Sequence, residues 1–267
     1  MSHSSMLPLE WQVPAFDVRE FAPRRTRYCI GIPILNEGDR IRSQLAKMQG
    51  LGIPQQSDIM IADGGSQDGS TEPDALQALG VRSLLTKRGS GKLSAQLRMF
   101  FAYAVTQGYE GFVIIDGNNK DGVEAIPQFL AALDEGWDYV QGSRYRPGGF
   151  EEHTPLLRKL AVRYIHAPLL SLASGFHYTD TTNGFRCLSR RFLLDPTLLP
   201  FRAVFNTYNL HYYFSYMAPK LGYQVKELPV RRVYPKAGPA PSKIKGVQAN
   251  LHILMLLCKT VLGFYNP

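Results

Sequence analysis

Cysteine is scarce. The chain has three in 267 residues, Cys29, Cys187 and Cys258, far apart and in no C-x-x-C pair. That spacing argues against a disulfide framework and against a structural zinc site. Long apolar runs are missing as well. The longest, Ile253 to Cys258, is bounded by His252 and Lys259, far short of the roughly 18–20 residues of a membrane span. Met1 to Trp11 shows no basic segment followed by an apolar core, so no signal peptide is expected. There is no internal repeat and no low-complexity tract. Charged residues make up 19% of the chain against 45% hydrophobic, which argues against disorder, collagen and coiled coil. A reduced, cytoplasmic, globular protein of one large domain or two small ones is expected, burying roughly 70–75% of its unfolded surface.

The charge is lopsided: 30 Lys and Arg against 22 Asp and Glu, a net +8. It is not gathered in blocks, and the segments that carry it also carry Gly and Pro. Such an excess suits phosphorylated small molecules or an anionic membrane surface as well as it suits nucleic acid.

Residues 1–27, with Pro8, Pro14 and Pro23, read as a poorly patterned leader. Short apolar strands are then expected at Tyr28–Pro33, Asp58–Ala62, Val81–Leu85, Gly111–Asp116 and Trp137–Gly142. Helical spacing lies between them at Glu37–Met48, Thr71–Leu79, Lys92–Gln107 and Val123–Leu133. This alternation predicts right-handed βαβ crossovers and a mostly parallel sheet flanked by helices. Sites in such sheets lie at the carboxyl ends of the strands, where Asp63/Asp68 and Asp116/Asp121 fall. The second half is less regular. Helices are expected at Leu156–Ala173, Tyr208–Lys220 and Lys243–Gly263, and strands at Gly184–Leu188 and Gln224–Val233.

Five segments in order carry a resemblance: IPILNE (Ile32–Glu37), ADGGSQDGS (Ala62–Ser70), IIDGNNKDG (Ile114–Gly122), GSRYRPGG (Gly142–Gly149) and DTTNGFR (Asp180–Arg186). Together they resemble the family-two glycosyltransferases of the GT-A fold, and within these the dolichyl-phosphate mannose synthase-like branch. The resemblance covers roughly residues 28–245 and leaves a C-terminal helix, 246–267, on the domain or at a membrane surface.

The resemblance implies roles. Pro33, Asn36 and Glu37 match the motif that cups base and ribose; the same residues also satisfy a proline turn opening a helix. Asp63 matches the first acid of an Asp-Asp-Gly-Ser motif and implies a base contact, whereas Asp68 and Gly69 read as turn formers. Lys92 follows a Gly-rich stretch, and is either a phosphate contact at a helix N-terminus or a solvated lysine. Asp116, Gly117 and Asn118 occupy the Asp-x-Asp slot, in which the family holds Mg²⁺ or Mn²⁺ against the donor diphosphate. Here the second acid is Asn118, and Lys120 stands where relatives often carry Gln. A metal at Asp116 and Asn118 is therefore expected to be less strictly required, with Asp121 as a compensating acid and Lys120 as a direct diphosphate contact.

On the acceptor side, Arg144, Arg158 and Arg186 match arginines of the lipid-phosphate branch, and guanidinium forks suit phosphate oxygens. Val162 stands where relatives place a small hydroxyl residue. Asp180 is the candidate base for a hydroxyl acceptor and, with Arg186, is equally a structural ion pair. Arg231, Arg232, Lys236, Ser242 and Lys243 surround the Pro/Gly-rich stretch YPKAGPAPSK, which is similar to a mobile basic lid that closes over the donor in the family.

The reading is an inverting glycosyltransferase moving a sugar from a nucleotide-sugar donor to a polyprenyl-phosphate-type lipid. The rival is the same donor chemistry onto a saccharide hydroxyl in cell-surface polysaccharide synthesis. No nucleic acid is expected as a partner. Peripheral contact with the inner face of a membrane, or a membrane partner protein, is.

Overall fold

The computed structural model describes residue 8 and residues 10–236 and 246–267. In chain order the strands are β1 (Phe16–Glu20), β2 (Tyr28–Ile34), β3 (Asp58–Asp63), β4 (Val81–Lys87), β5 (Gly111–Ile114), β6 (Tyr139–Ser143), β7 (Phe150–Glu152), β8 (Arg186–Ser189), β9 (Val225–Pro229) and β10 (Arg231–Val233). The helices are α1 (Asp39–Gly50), α2 (Ile53–Gln56), α3 (Pro73–Ala78), α4 (Leu93–Thr106), α5 (Ile126–Asp134), α6 (Leu156–Ala161), α7 (Ala167–Ser174), α8 (Arg190–Leu193), α9 (Asn209–Lys220) and α10 (Gly246–Val261). A π-helical turn, Val162–His166, joins α6 to α7.

Eight strands form one sheet in the order β1-β4-β3-β2-β5-β8-β6-β9, and β7 and β10 form a separate parallel pair. In the large sheet only β1 and β8 run against the rest, so the mostly parallel expectation holds. Both faces are covered. Alternation along β2 and β3 sends Cys29, Met60 and Ala62 into the cluster under α4 and α9, and Ile30, Ile32, Ile59 and Ile61 into the cluster under α1 and α5. Period-two side-chain placement makes that division automatic.

Three expectations need correction. The supposed leader contributes β1, which pairs antiparallel with β4 from Phe16↔Lys87 to Glu20↔Ser83 and closes that sheet edge. The strand expected over 224–233 is two strands broken at Val230, and its second piece leaves the large sheet to join β7. The helix expected over 156–173 contains the π turn. The part of the last helix expected at 243–245 lies outside the described residues.

The chain order places the crevice. From β2 the chain moves to β3 and β4 on one side, then crosses to β5 on the other. In open α/β sheets ligands bind outside the carboxyl ends of the strands, at such a switch point. The β2–β5 ladder ends at Gly31↔Ile114. Beyond it Pro33 has no N–H to offer that neighbour, and its carbonyl instead accepts the Gly117 N–H at 3.3 Å. The IPILNE and IIDGNNKDG segments therefore flank one opening.

Candidate active site

The loop after β5 is built tightly. Asn119 sits at φ 57, a left-handed conformation that asparagine tolerates better than most residues. Its backbone N–H donates to Gln44 Oε1 at 2.8 Å, and its Oδ1 accepts from Lys47 Nζ at 2.9 Å, which anchors the loop to α1. Gly117 packs against Ile34, and an added Cβ would meet Ile34 Cγ2 at 2.4 Å. Gly184, from the DTTNGFR segment, abuts Asp116 so closely that a Cβ there would stand 2.6 Å from Asp116 Oδ1. Two of the five segments thus meet at one carboxylate.

Asp116 faces cations. Its Oδ2 accepts from Arg232 Nη2 at 3.2 Å and from Asn118 Nδ2 at 3.3 Å. Arg232 reaches on to Asp121 Oδ2 through its Nη1 at 2.5 Å. Burial alone would raise the Asp116 carboxyl, but Arg232 and Lys120 outweigh it and hold it below its ordinary value. Lys120 is enclosed, with its ammonium 4.9 Å from the centroid of the Tyr234 ring. Burial, aided by Arg232, lowers it to about 8. Arg158 Nη1 donates to the Tyr234 hydroxyl at 3.2 Å, and the Arg232 guanidinium lies 5.7 Å from the same ring. Burial would push the Tyr234 phenol up, yet Arg232, Arg158, Lys120 and Arg144 together pull it down to about 8. A phenol depressed in this way reports a strongly positive local field. A cavity of about 450 Å³ opens beside this group, lined in part by Arg40, Lys47, Lys120 and Arg231.

The residues do not fit a dedicated divalent site. Mg²⁺ and Mn²⁺ want several hard oxygens with at least one or two carboxylates. Here one carboxylate is available, and it already serves Arg232. The Asn118 amide presents its nitrogen to Asp116, while its Oδ1 accepts the Lys120 N–H at 3.3 Å. Asp121 does not complete the set: its side chain is fully enclosed, Oδ2 is held by Arg232, and Oδ1 is buried without a hydrogen-bond partner. Among the described residues no three His, Cys, Asp or Glu side chains are grouped to hold an ion.

Other expected residues are placed differently. Asp63 closes its own loop, accepting from the Gly65 N–H at 3.0 Å and the Ser66 hydroxyl at 2.6 Å. Asn36, at φ 51, accepts the Gln67 N–H at 2.9 Å, and Glu37 binds Arg40 at 2.8 Å. These residues shape the rim of the β2 crevice rather than hang free in it. Asp68 forms a turn with Ser70, accepting the Ser70 N–H at 3.1 Å, and the Ser70 hydroxyl accepts the Glu37 and Gly38 N–H groups. The N-terminus of α4 is partly filled, since Ser94 N–H donates to Thr207 O at 2.8 Å. The Lys92 side chain is exposed, with its ammonium 5.9 Å from the Tyr208 ring centroid.

On the acceptor side, Arg144 and Asp180 form a buried bidentate pair, Nε to Oδ2 at 2.6 Å and Nη2 to Oδ1 at 3.0 Å. Burial would raise the Asp180 carboxyl, but Arg144 overrides it and the net shift is downward. An enclosed carboxylate held by a fork of hydrogen bonds is a weak base, which counts against the catalytic-base expectation for Asp180. Its partner is Arg144 and not Arg186. Arg186 also departs from expectation: it is buried and donates to the Tyr139 hydroxyl at 2.8 Å and the His211 carbonyl at 3.0 Å, inside the core. Arg158 does join the cation group. Lys236 is exposed at the edge of the described residues, and Ser242 and Lys243 lie outside them.

Sequence reasoning passed over Tyr234 and gave Arg232 only a place near the lid. The signal was faint. In RRVY the inward positions alternate, so Arg232 and Tyr234 are buried while Arg231 is exposed. A three-residue strand is too short for periodicity to reveal that.

No protein-family model matches the chain. Curated relatives do match. Glycosyltransferase AglJ of Haloferax volcanii is 26% identical over 185 residues, covering 66% of this chain and 54% of that protein. Polyprenol monophosphomannose synthase of Mycolicibacterium smegmatis is 29% identical over 180 residues, covering 62% and 63%. Dolichol-phosphate mannosyltransferase of Pyrococcus furiosus is 27% identical over 176 residues, covering 63% and 48%. The chain spans about half to just under two thirds of the length of these relatives. Among solved structures, glucosyl-3-phosphoglycerate synthase from Mycobacterium tuberculosis with Mn²⁺, UDP-glucose and phosphoglyceric acid has a TM-score of 0.62 at 17% identity, covering 88% of this chain and 78% of that one. The same enzyme with Mg²⁺ and UDP has a TM-score of 0.63 at 16% identity. The fold is thereby that of the GT-A glycosyltransferases. The curated relatives bear out the resemblance that the five segments carry.

Proposed function

We propose that this chain transfers a sugar from a nucleotide-sugar donor to a phosphate of a polyprenyl-type lipid. The observation that carries the reading is the group of four cations, Lys120, Arg144, Arg158 and Arg232, around Tyr234 and beside Asp116. Two anions must meet in such a transfer, the departing diphosphate and the attacking phosphate, and a concentrated positive field lowers the cost of bringing them together. The donor's anomeric C–O bond breaks and its electron pair leaves on the diphosphate oxygen. An acceptor phosphate oxygen forms the new C–O bond from the opposite face, which inverts the centre. A phosphate oxygen is already anionic and surrenders no proton, so the reaction needs no general base.

The hydroxyl-acceptor rival does need a base. Its candidate, Asp180, is locked by Arg144, and that favours the phosphate reading. The names of the curated relatives support the same acceptor class. The catalytic unit we propose runs over 28–245, with β1 from the preceding segment completing its sheet. Arg158→Ala tests the acceptor. It is expected to raise the KM for a polyprenyl phosphate about tenfold or more, with donor hydrolysis in the absence of acceptor nearly unchanged. An unaltered KM would remove Arg158 from the acceptor site.

The lipid acceptor calls for a surface. Among the described residues no helix is long and apolar enough to cross a membrane. Yet α6, the π turn and α7 expose Leu156, Leu157, Leu160, Tyr164, Ile165 and Leu172, the first two at 69% and 75% and the last at 86%. Arg163 and Lys159 accompany them. The apolar residues of α10 are divided: Leu257 packs into the core, while Leu251 and Met255 are exposed. We take the α6–α7 face as the peripheral membrane contact. Basic residues at an anionic leaflet add roughly 1 kcal/mol each, enough for reversible attachment. The protein should float with phosphatidylserine-containing vesicles at low salt and partly release at high salt, and Leu156→Asp with Leu157→Asp should abolish flotation without lowering Tm. Flotation indifferent to those changes would place the contact elsewhere.

A further inference from the structure

We infer that Lys120 and Arg232 take the place of a divalent cation on the donor diphosphate, so that this enzyme binds and turns over its donor without a metal. This rests on the donor reading above and deepens it.

The loop and β10 bring together two carboxylates, Asp116 and Asp121, and two cations, Lys120 and Arg232. The group is neutral as it stands. A site for Mg²⁺ or Mn²⁺ is ordinarily an excess of negative oxygens awaiting charge. Here a guanidinium already lies on one oxygen of the Asp116 carboxylate, Oδ2, at 3.2 Å. Arg158, whose guanidinium donates to the Tyr234 hydroxyl, adds a further cation to the same field, while Arg144 is balanced by Asp180. A divalent ion entering it is repelled, whereas a diphosphate is attracted.

The placement is also fixed by the backbone. Gly122 N–H donates to Arg231 O at 2.9 Å and Val233 N–H to Lys120 O at 2.9 Å, which ties β10 to the 116–121 loop. Asp121 and Arg232 are paired across the same contact. The two cations are thus delivered to the mouth of the β2–β5 crevice by a rigid double segment. Preorganised charge of this kind stabilises a leaving group without reorganising when the bond breaks. A planar guanidinium and a compact ammonium together offer several N–H donors to phosphate oxygens.

The experiment uses the full chain and UDP, GDP, ADP, CDP and dTDP as probes, with binding measured by calorimetry in EDTA and again in Mn²⁺, and Mn²⁺ binding followed by its EPR signal. The wild type should bind one of these nucleotides with an affinity that changes less than about twofold between the two conditions, with no loss of Mn²⁺ signal on mixing. Lys120→Gln should weaken that affinity in EDTA about tenfold or more. Asn118→Asp with Lys120→Gln, which adds a carboxylate and removes an ammonium, should make nucleotide binding depend on Mn²⁺ and bleach the free-ion signal. Melting curves establish that each variant is folded. If the wild type binds a nucleotide only with Mn²⁺, the inference is overturned and the donor reading stands. If no nucleotide binds under either condition, the donor reading falls and takes the inference with it.

Discussion

Asp116→Ala should lower sugar transfer by roughly three orders of magnitude while the protein remains folded. The carboxylate is the point at which the IIDGNNKDG loop, Gly184 and Arg232 converge. Removing it frees Arg232 to swing towards Asp121 alone and dissolves the fixed geometry on which charge stabilisation depends. Losses of about 10²–10³ follow removal of a single preorganised group, and here the positioning of a second group is lost too. The fold should survive because Arg232 keeps Asp121 and because the Asp116 side chain is partly exposed. A Tm within a few degrees of wild type, with turnover near background, is the expected pair of readings. Wild-type turnover in a folded variant would remove Asp116 from the reaction centre.

The largest effect on stability should come from Asp180→Ala. Arg144 is then left enclosed without its carboxylate, and breaking a buried pair from one side costs about 3–5 kcal/mol. Asp180 also accepts the Thr182 N–H at 3.2 Å and the Arg144 N–H at 3.3 Å, so the 180–186 segment loosens as well. Should that variant fail to fold, Asp180→Asn keeps the volume and part of the hydrogen bonding and should cost less, as read by urea unfolding. Arg144→Met with Asp180→Leu should recover most of the loss, because neither charge is then stranded. The pH dependence has a definite sign. The folded carboxyl lies below its usual 3.8, so its stabilisation is complete above that value and fades as pH falls through the folded value. From pH 5 to 8 this pair should leave stability flat.

The sequence made the sheet legible because its strands are short, fully apolar and bounded by turn residues, as in YCIGIP and DIMIA. β1 escaped notice because FDVRE alternates weakly at a sheet edge, where only one side is paired. The motifs located the crevice, since the loops after β2 and β5 must face each other at the switch point. They did not reveal what each side chain does there. Asp63 and Asn36 have polar groups that their own loops satisfy, and no spacing rule separates a loop-closing aspartate from a ligand-binding one. Arg144 and Asp180 are 36 residues apart in sequence, and they meet because the segment before β8 is pinned beside the end of β6, with the Asp180 N–H donating to Glu227 and Thr179 bonded to Ser143. Arg186, three residues before the end of β8, points into the core because strand alternation sends it there. Tyr234 became visible only once the cations from four separate segments were seen to surround it.

Transfer to a lipid phosphate is tested by incubating the 267-residue chain with a panel of radiolabelled nucleotide sugars and a polyprenyl phosphate, followed by organic extraction and analysis of the labelled product. An extractable, acid-labile polyprenyl sugar monophosphate with inverted anomeric configuration is expected with at least one donor. Label appearing only on an added saccharide hydroxyl, with none in the lipid phosphate, would overturn the lipid-phosphate reading.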